Sequence, residues 1–195
     1  MRLSYFIFFI FLAFQLQAQE TDLLFNIIHK NNTIGTLTAK KKPIGDNVHY
    51  YNHTAISTRI LFANIEVDYQ YTVVYNKDQL IKAAAKIRLN GNTRTNTFTE
   101  KNAQDYIFYE NGKQQRSITE NIAYSTVNLL FEEPLHIEKV YAEEHGEFHE
   151  LKKIRRHTYE KTNSKGKVNT YFYKNGILEK AVIDIGLINF EIIKK

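Results

Sequence analysis

The densest set of titratable side chains in the sequence is Glu143-Glu144-His145-Gly146-Glu147-Phe148-His149-Glu150. Imidazole and carboxylate together suit zinc, iron or nickel, and two histidines four positions apart would converge on one face of a helix. Gly146 and the alternation around it predict a hairpin tip instead. Residues four apart along a strand stand about 13 Å from each other, too far for one ion. Ligands could still meet across the hairpin, but the failed helical spacing favours a solvated turn, and no metal site is assigned. His49 and His53, beside Tyr50 and Tyr51, meet the same objection and read as ordinary strand residues.

Nucleophilic chemistry finds no better footing. Ser57, Ser117, Ser125 and Ser164 stand outside any nucleophile-elbow setting. No glycine-rich phosphate cradle and no paired-histidine zinc helix is present. The chain has no Cys, which excludes disulfides, thiolate catalysis, cysteine-ligated zinc, iron–sulfur clusters and lipidation at a cysteine. A triad assembled across strands is recognised by geometry rather than spacing, so a hydrolase-type enzyme is retained as the last-ranked reading. No catalytic, cofactor-binding or metal-ligating residue is assigned, and no cofactor. Lys152, Lys153, Arg155 and Arg156 beside Tyr159 form a basic and aromatic cluster of the kind that holds nucleic acid. A strand there would split the charges between two faces, and Glu150 and Glu160 flank them. With 26 basic and 21 acidic residues in 195, the net charge of +5 is too mild for a nucleic-acid binder. The run Lys40-Lys41-Lys42 before Pro43 reads as a charged strand end or as an edge guard against aggregation.

The elements that must carry these residues are strands. Asn90-Gly91, Asn111-Gly112 and Asn175-Gly176 are the dipeptides that tight hairpins favour, because both positions tolerate positive φ. Gly45, Gly146 and Gly166 lie in polar stretches read as turns, while Gly35 and Gly186 mark bulges or turns. Between these points the period is two. Ile65, Val67, Tyr69, Tyr71, Val73 and Tyr75 share one face, with Glu66, Asp68, Gln70 and Thr72 on the other. Val168, Thr170 and Phe172 alternate likewise, as do Ile188, Phe190 and Ile192. Ala83-Ala84-Ala85 favours helix by propensity, yet the alternation of Ile81, Ala83, Ala85, Ile87 and Leu89 predicts a strand. One segment does not alternate: Ser125 or Thr126 is placed to cap a short helix through Val127, Leu129, Leu130 and Phe131, ending before Pro134. The fold expected is all-β, an antiparallel meander of ten or more strands forming a curved half-barrel or barrel, with one short helix.

Residues 1–18 read differently. Arg2 precedes the apolar run Phe6 to Phe14, and a small residue, Ala18, stands at a polar boundary. That is the pattern of a secretory signal peptide, and the apolar run is too short for the roughly twenty residues that span a bilayer. The expected organisation is a signal peptide over 1–18 and a single β domain over 19–195. The protein is expected to be exported to the periplasm or beyond, without a transmembrane span and not as a lipoprotein.

Several phrases carry a resemblance. Phe25-Asn26-Ile27-Ile28-His29-Lys30 with Ile34-Gly35-Thr36-Leu37, Val67-Asp68-Tyr69-Gln70-Tyr71, Asn128-Leu129-Leu130-Phe131-Glu132-Glu133-Pro134 and Tyr171-Phe172-Tyr173-Lys174-Asn175-Gly176 resemble a secreted Bacteroidota family, domain of unknown function 6134. More loosely, the pattern is similar to envelope half-barrels that carry lipids or lipoproteins. The resemblance implies export and β architecture, and brings no activity and no site residues. The expected function is non-enzymatic binding of a lipid or other apolar or amphipathic small molecule. The face of Ile65, Val67, Tyr69, Tyr71, Val73 and Tyr75 is the candidate ligand surface, since phenol rings suit an apolar site with a polar tip. The alternatives are that this face is a filled core, and that the protein is an envelope interaction or structural module.

Overall fold

A computed structural model of the chain describes residues 20–60, 62–184 and 189–195. The expected signal peptide, and the expectations at Gly186 and Ile188, lie outside the described residues. The chain forms β1 (Thr21–His29), β2 (Asn32–Ile44), β3 (Asn47–Ile60), β4 (Ala63–Asn76), β5 (Gln79–Leu89), β6 (Asn92–Asn102), β7 (Asp105–Glu110) and β8 (Lys113–Ile118). A single 3-10 turn follows (Thr126–Leu130), and then β9 (Lys139–Ala142), β10 (Glu147–Arg155), β11 (Thr158–Thr162), β12 (Val168–Lys174), β13 (Ile177–Asp184) and β14 (Asn189–Lys194). All fourteen strands pair antiparallel in one open sheet, ordered β8-β7-β6-β5-β4-β3-β2-β1-β14-β13-β12-β11-β10-β9. Among the described residues no helix is long and apolar enough to cross a membrane.

Local chemistry sets the hairpins. At Asn90-Gly91, Asn111-Gly112 and Asn175-Gly176 both residues have φ between 49° and 77°, the double left-handed turn whose twist matches that of paired strands. The alanine-rich stretch is strand β5, as its alternation predicts, with Ala83 and Ala85 buried on the inner face. Tertiary context overrides helix propensity there: β5 pairs on both sides, with β4 and β6. Lys40, Lys41 and Lys42 do not guard an edge. They lie near the end of β2, which pairs with β1 and β3, and they face Asp22 at 3.0 Å, Glu132 at 3.8 Å and Glu20 at 3.8 Å respectively.

The two edge strands, β8 and β9, are joined by residues 119–138, and this connection runs through the inside of the sheet. Ile122, Tyr124, Val127, Leu129, Leu130 and Phe131 are all buried in the main core. The expected short helix is here, tightened to one 3-10 turn. Asn128 Oδ1 accepts hydrogen bonds from the Ser125 backbone N–H at 2.9 Å and from Ser125 Oγ at 3.0 Å. That turn touches β3, β13 and β9 at once, so the sheet curls around it. The two ends of the meander then meet through side chains rather than a ladder: Thr97 Oγ1 donates to the Glu143 carbonyl at 2.9 Å, and Thr99 Oγ1 lies 2.7 Å from the Tyr141 hydroxyl.

Two glycines are fixed by close packing, one within the sheet and one at the closure. At Gly35 a Cβ would stand 2.1 Å from the Ala55 carbonyl oxygen, beside the bulge where β1 and β2 change register. Gly146 combines φ +64° with a would-be Cβ 2.4 Å from the Phe108 ring on β7. Gly146→Ala therefore meets both left-handed strain and overpacking, and is expected to destabilise the fold by about 2–4 kcal/mol in urea denaturation. Adding Phe108→Leu should recover part of that loss; a single mutant as stable as wild type would show that the closure is not tight.

Candidate ligand cavity at the end of the strap

The connection does not fill the whole interior. Beside it lies a cavity of about 370 Å³, within the range of about 300–1,000 Å³ usual for small-molecule sites. Its deep end is apolar: Leu37 from β2, Val127 and Leu130 from the connecting strap, Leu178 and Ala181 from β13, and Ile192 from β14. Leu178 and Ala181 are three positions apart, which strict alternation would place on opposite faces. A bulge in β13 resets the phase: Tyr173 pairs with Leu178 but Phe172 pairs with Lys180, leaving Glu179 as the extra residue.

Tyrosines and titratable groups surround the open end. Tyr69 and Tyr71 reach it from β4 and Tyr171 from β12. The Tyr71 hydroxyl donates to Glu144 Oε2 at 2.9 Å. Burial, and then the Glu144 and Glu143 charges, push the Tyr71 phenol well above its ordinary value. It therefore stays a donor. Glu147 Oε1 accepts from Ser164 Oγ at 2.8 Å and lies 3.2 Å from His149 Nε2. A carboxylate only accepts, so His149 Nε2 carries the proton of that bond. Against the cost of burial, the bonds from Ser164 and His149 hold the Glu147 carboxyl below its ordinary range.

The His145 and His149 rings stand 5.6 Å apart, centroid to centroid, so the expected separation along a strand does not apply. The chain reverses between them: the Ala142 carbonyl accepts from His145 N at 3.0 Å and from Gly146 N at 2.9 Å. Only His149 is in β10. Nor is the cluster a solvated turn. Glu143 and His149 are 2% and 3% exposed, because the turn tucks against β6, β7 and the strap, where Glu143 Oε1 accepts from the Val127 N–H at 3.0 Å. Among the described residues no set of three or more His, Asp and Glu is arranged to hold a metal ion.

Of the six residues expected to form the ligand face, the structure brings two to this cavity, Tyr69 and Tyr71. Val73 and Tyr75 are buried in the core, with the Tyr75 ring edge-on to Tyr50 at 6.1 Å. Val67 packs partly buried against that core, and Ile65 is half-buried near the start of β4. The face thus changes from core to cavity wall along one strand. His49 and His53 are strand residues on β3, and His53 Nε2 pairs with Asp68 Oδ2 at 2.7 Å. Lys152, Lys153, Arg155 and Arg156 are exposed, while Tyr159 is buried beneath the Lys153 ammonium, 5.9 Å from its ring centroid. The strap residues Val127 and Leu130, and Lys161 of β11, were not expected at the site. Lys161 had a signal: it stands two positions from Tyr159, so a strand with Tyr159 inside has Lys161 inside too.

Burial, reinforced by the Lys161 charge, lowers the pKa of His149 from its ordinary value near 6.5. The unfolded chain then binds the proton more readily. The His149 contribution is fully present above about pH 6.5 and is lost as pH falls through that value toward the depressed one. Glu143 works with the opposite sign, since burial pushes its carboxyl up. The expected result is that the loss of urea stability from pH 7.5 to 5.5 is larger in wild type than in His149→Asn. Equal slopes would remove the role assigned to His149.

No curated protein and no solved structure matches the chain. A family model does match, over residues 25–195, and the chain belongs to that family, described as Domain of unknown function (DUF6134).

Proposed function

We propose that the protein is a non-enzymatic, exported binder of an apolar or amphipathic molecule, held with its apolar part in the cavity beside the strap. The observation that carries this reading is the cavity's division: an apolar deep end of buried aliphatic side chains, and an open end of tyrosine hydroxyls, imidazoles, carboxylates and lysines. Sites of this composition take their affinity from the apolar wall and their orientation from the few polar groups. The leader pattern of residues 1–18 supports an envelope location, where such molecules are abundant.

A hydrolase is the second reading, favoured by the convergence of His145, His149, Glu144 and Glu147 at one mouth. Against it, Ser164 gives its hydroxyl to the Glu147 carboxylate rather than to either imidazole. That geometry activates no nucleophile.

A neutral fluorescent probe of apolar sites, N-phenyl-1-naphthylamine, should bind the wild-type protein saturably with one site per chain. Ile183→Trp, which fills the cavity from β13, should weaken that binding at least tenfold, about 1.4 kcal/mol. Tyr71→Ala should also weaken binding, yet cost clearly less stability than the roughly 3–5 kcal/mol of an aromatic truncated in a filled core. Failure to bind the probe, with Tyr71→Ala badly destabilised, would leave a filled interior and an interaction module. Steady hydrolysis of a p-nitrophenyl acyl ester, lost in His149→Asn, would establish the second reading.

A further inference from the structure

Strand alternation turns Lys161 inward, but nothing in the packing calls for a lysine there. It is 8% exposed, and lysine is almost never so buried without a partner. Inward-pointing charges protect edge strands, but β11 pairs on both sides, with β10 and β12. Its side chain lines the cavity and makes no hydrogen bond or ion pair with any described residue. Its charge acts on Glu143 and His149 from a distance, and Glu143 is not within ion-pair reach of it. Three carboxylates line the cavity: Glu144 is engaged with Tyr71 and His145, Glu147 with Ser164 and His149, and Asp184 has a partner other than Lys161. The Lys161 ammonium, with three donors and no acceptor among the described residues, opens onto the cavity and takes its hydrogen bonds from whatever occupies it, water or ligand.

We infer that Lys161 is the head-group anchor of the cavity, binding the anionic oxygens, carboxylate or phosphate, of an amphipathic ligand whose chain lies against Leu130, Leu178 and Ile192. This rests on the cavity being a ligand site, and adds to it the sign and place of the head group. The aliphatic stem of Lys161 runs among the apolar walls while its ammonium presents the charge. Lys165 and Lys167, at the open rim, attract the same sign of head group from solution, but exposed charges at that distance are screened by salt. A charge-assisted hydrogen bond in the protected interior is not.

The test compares dodecanoate, dodecyl phosphate and dodecanol as displacers of N-phenyl-1-naphthylamine from the protein. At least one of the two anions should bind about tenfold or more tightly than the alcohol, and the stronger one identifies the head group. That preference should persist in 1 M salt. Lys161→Met, which keeps the unbranched stem and removes the charge, should abolish the preference while leaving dodecanol unchanged; Lys161→Arg should retain it. Replacing a buried charge by an apolar side chain of similar length is usually tolerated, and Lys161→Gln serves as the neutral variant should methionine there unfold the chain. Anions no tighter than the alcohol, or a preference that survives in the neutral variant or vanishes in salt, would overturn the assignment. Displacement by dodecanol alone would leave the cavity standing without its anchor. If none of the three displaces the probe, the cavity itself is not a lipid site and the inference falls with it.

Discussion

A sheet that curls but does not close must put something in the space it encloses, and here that is its own backbone. The strap joining the two edge strands enters the interior, and every polar group it brings must be satisfied away from water. The fold supplies the partners from many directions. Leu80 N–H reaches the Ile122 carbonyl at 3.0 Å, and Tyr141 N–H the Tyr124 carbonyl at 3.0 Å. The Tyr173 hydroxyl donates to the Leu129 carbonyl, and the Tyr124 hydroxyl to that of Glu132, both at 2.9 Å. Glu133 ends the strap in bonds from Tyr159 and His157. The abundance of tyrosine in this chain has a structural reason: it fills apolar volume and still carries a hydroxyl to a buried carbonyl.

The strap also decides where the cavity is. Its 3-10 turn packs against β3, β13 and β9, and space remains between its Thr126, Val127 and Leu130 and the β9–β10 turn residues Glu144 and His145. The same turn of chain carries Glu143, which holds the strap through the Val127 N–H, and Glu144, which holds Tyr71 of β4. Core, closure and cavity mouth thus meet in a few consecutive residues. A change there acts on core packing and on the shape of the cavity mouth together, so the two are separated only by measuring both.

The sequence makes the strands, the three Asn-Gly hairpins and the site of the helical turn legible, because each depends on local rules of period and turn chemistry. What it leaves hidden is long-range. The alternation of β4 reads as one face, and it is one face, but whether a stretch of it is core or cavity wall depends on how far the strap extends over it. Val73 and Tyr75 are covered; Tyr71 and Tyr69 line the open end. His145 and His149 look too far apart when both are placed in a strand, and only the reversal at Ala142 brings the rings near. Leu178 with Ala181 is hidden by a bulge that no residue type announces. Lys161 is the reverse case, visible by simple alternation with Tyr159, yet passed over because a lysine in a strand is ordinarily turned outward.

The seam between β1 and β14 lies in the middle of the sheet, although it joins opposite ends of the sequence: His29 Nδ1 meets the Asn189 carbonyl 160 positions away. Every other strand pairing links neighbours in the chain. Two meanders can therefore zip up quickly from local hairpins, while the seam waits for the costliest loop closure in the molecule. Until it forms, β1 and β14 are raw edges rather than interior strands, and each half exposes an apolar face. A chain whose seam has not formed is open at both strands to pairing with the wrong partner, including another copy of itself.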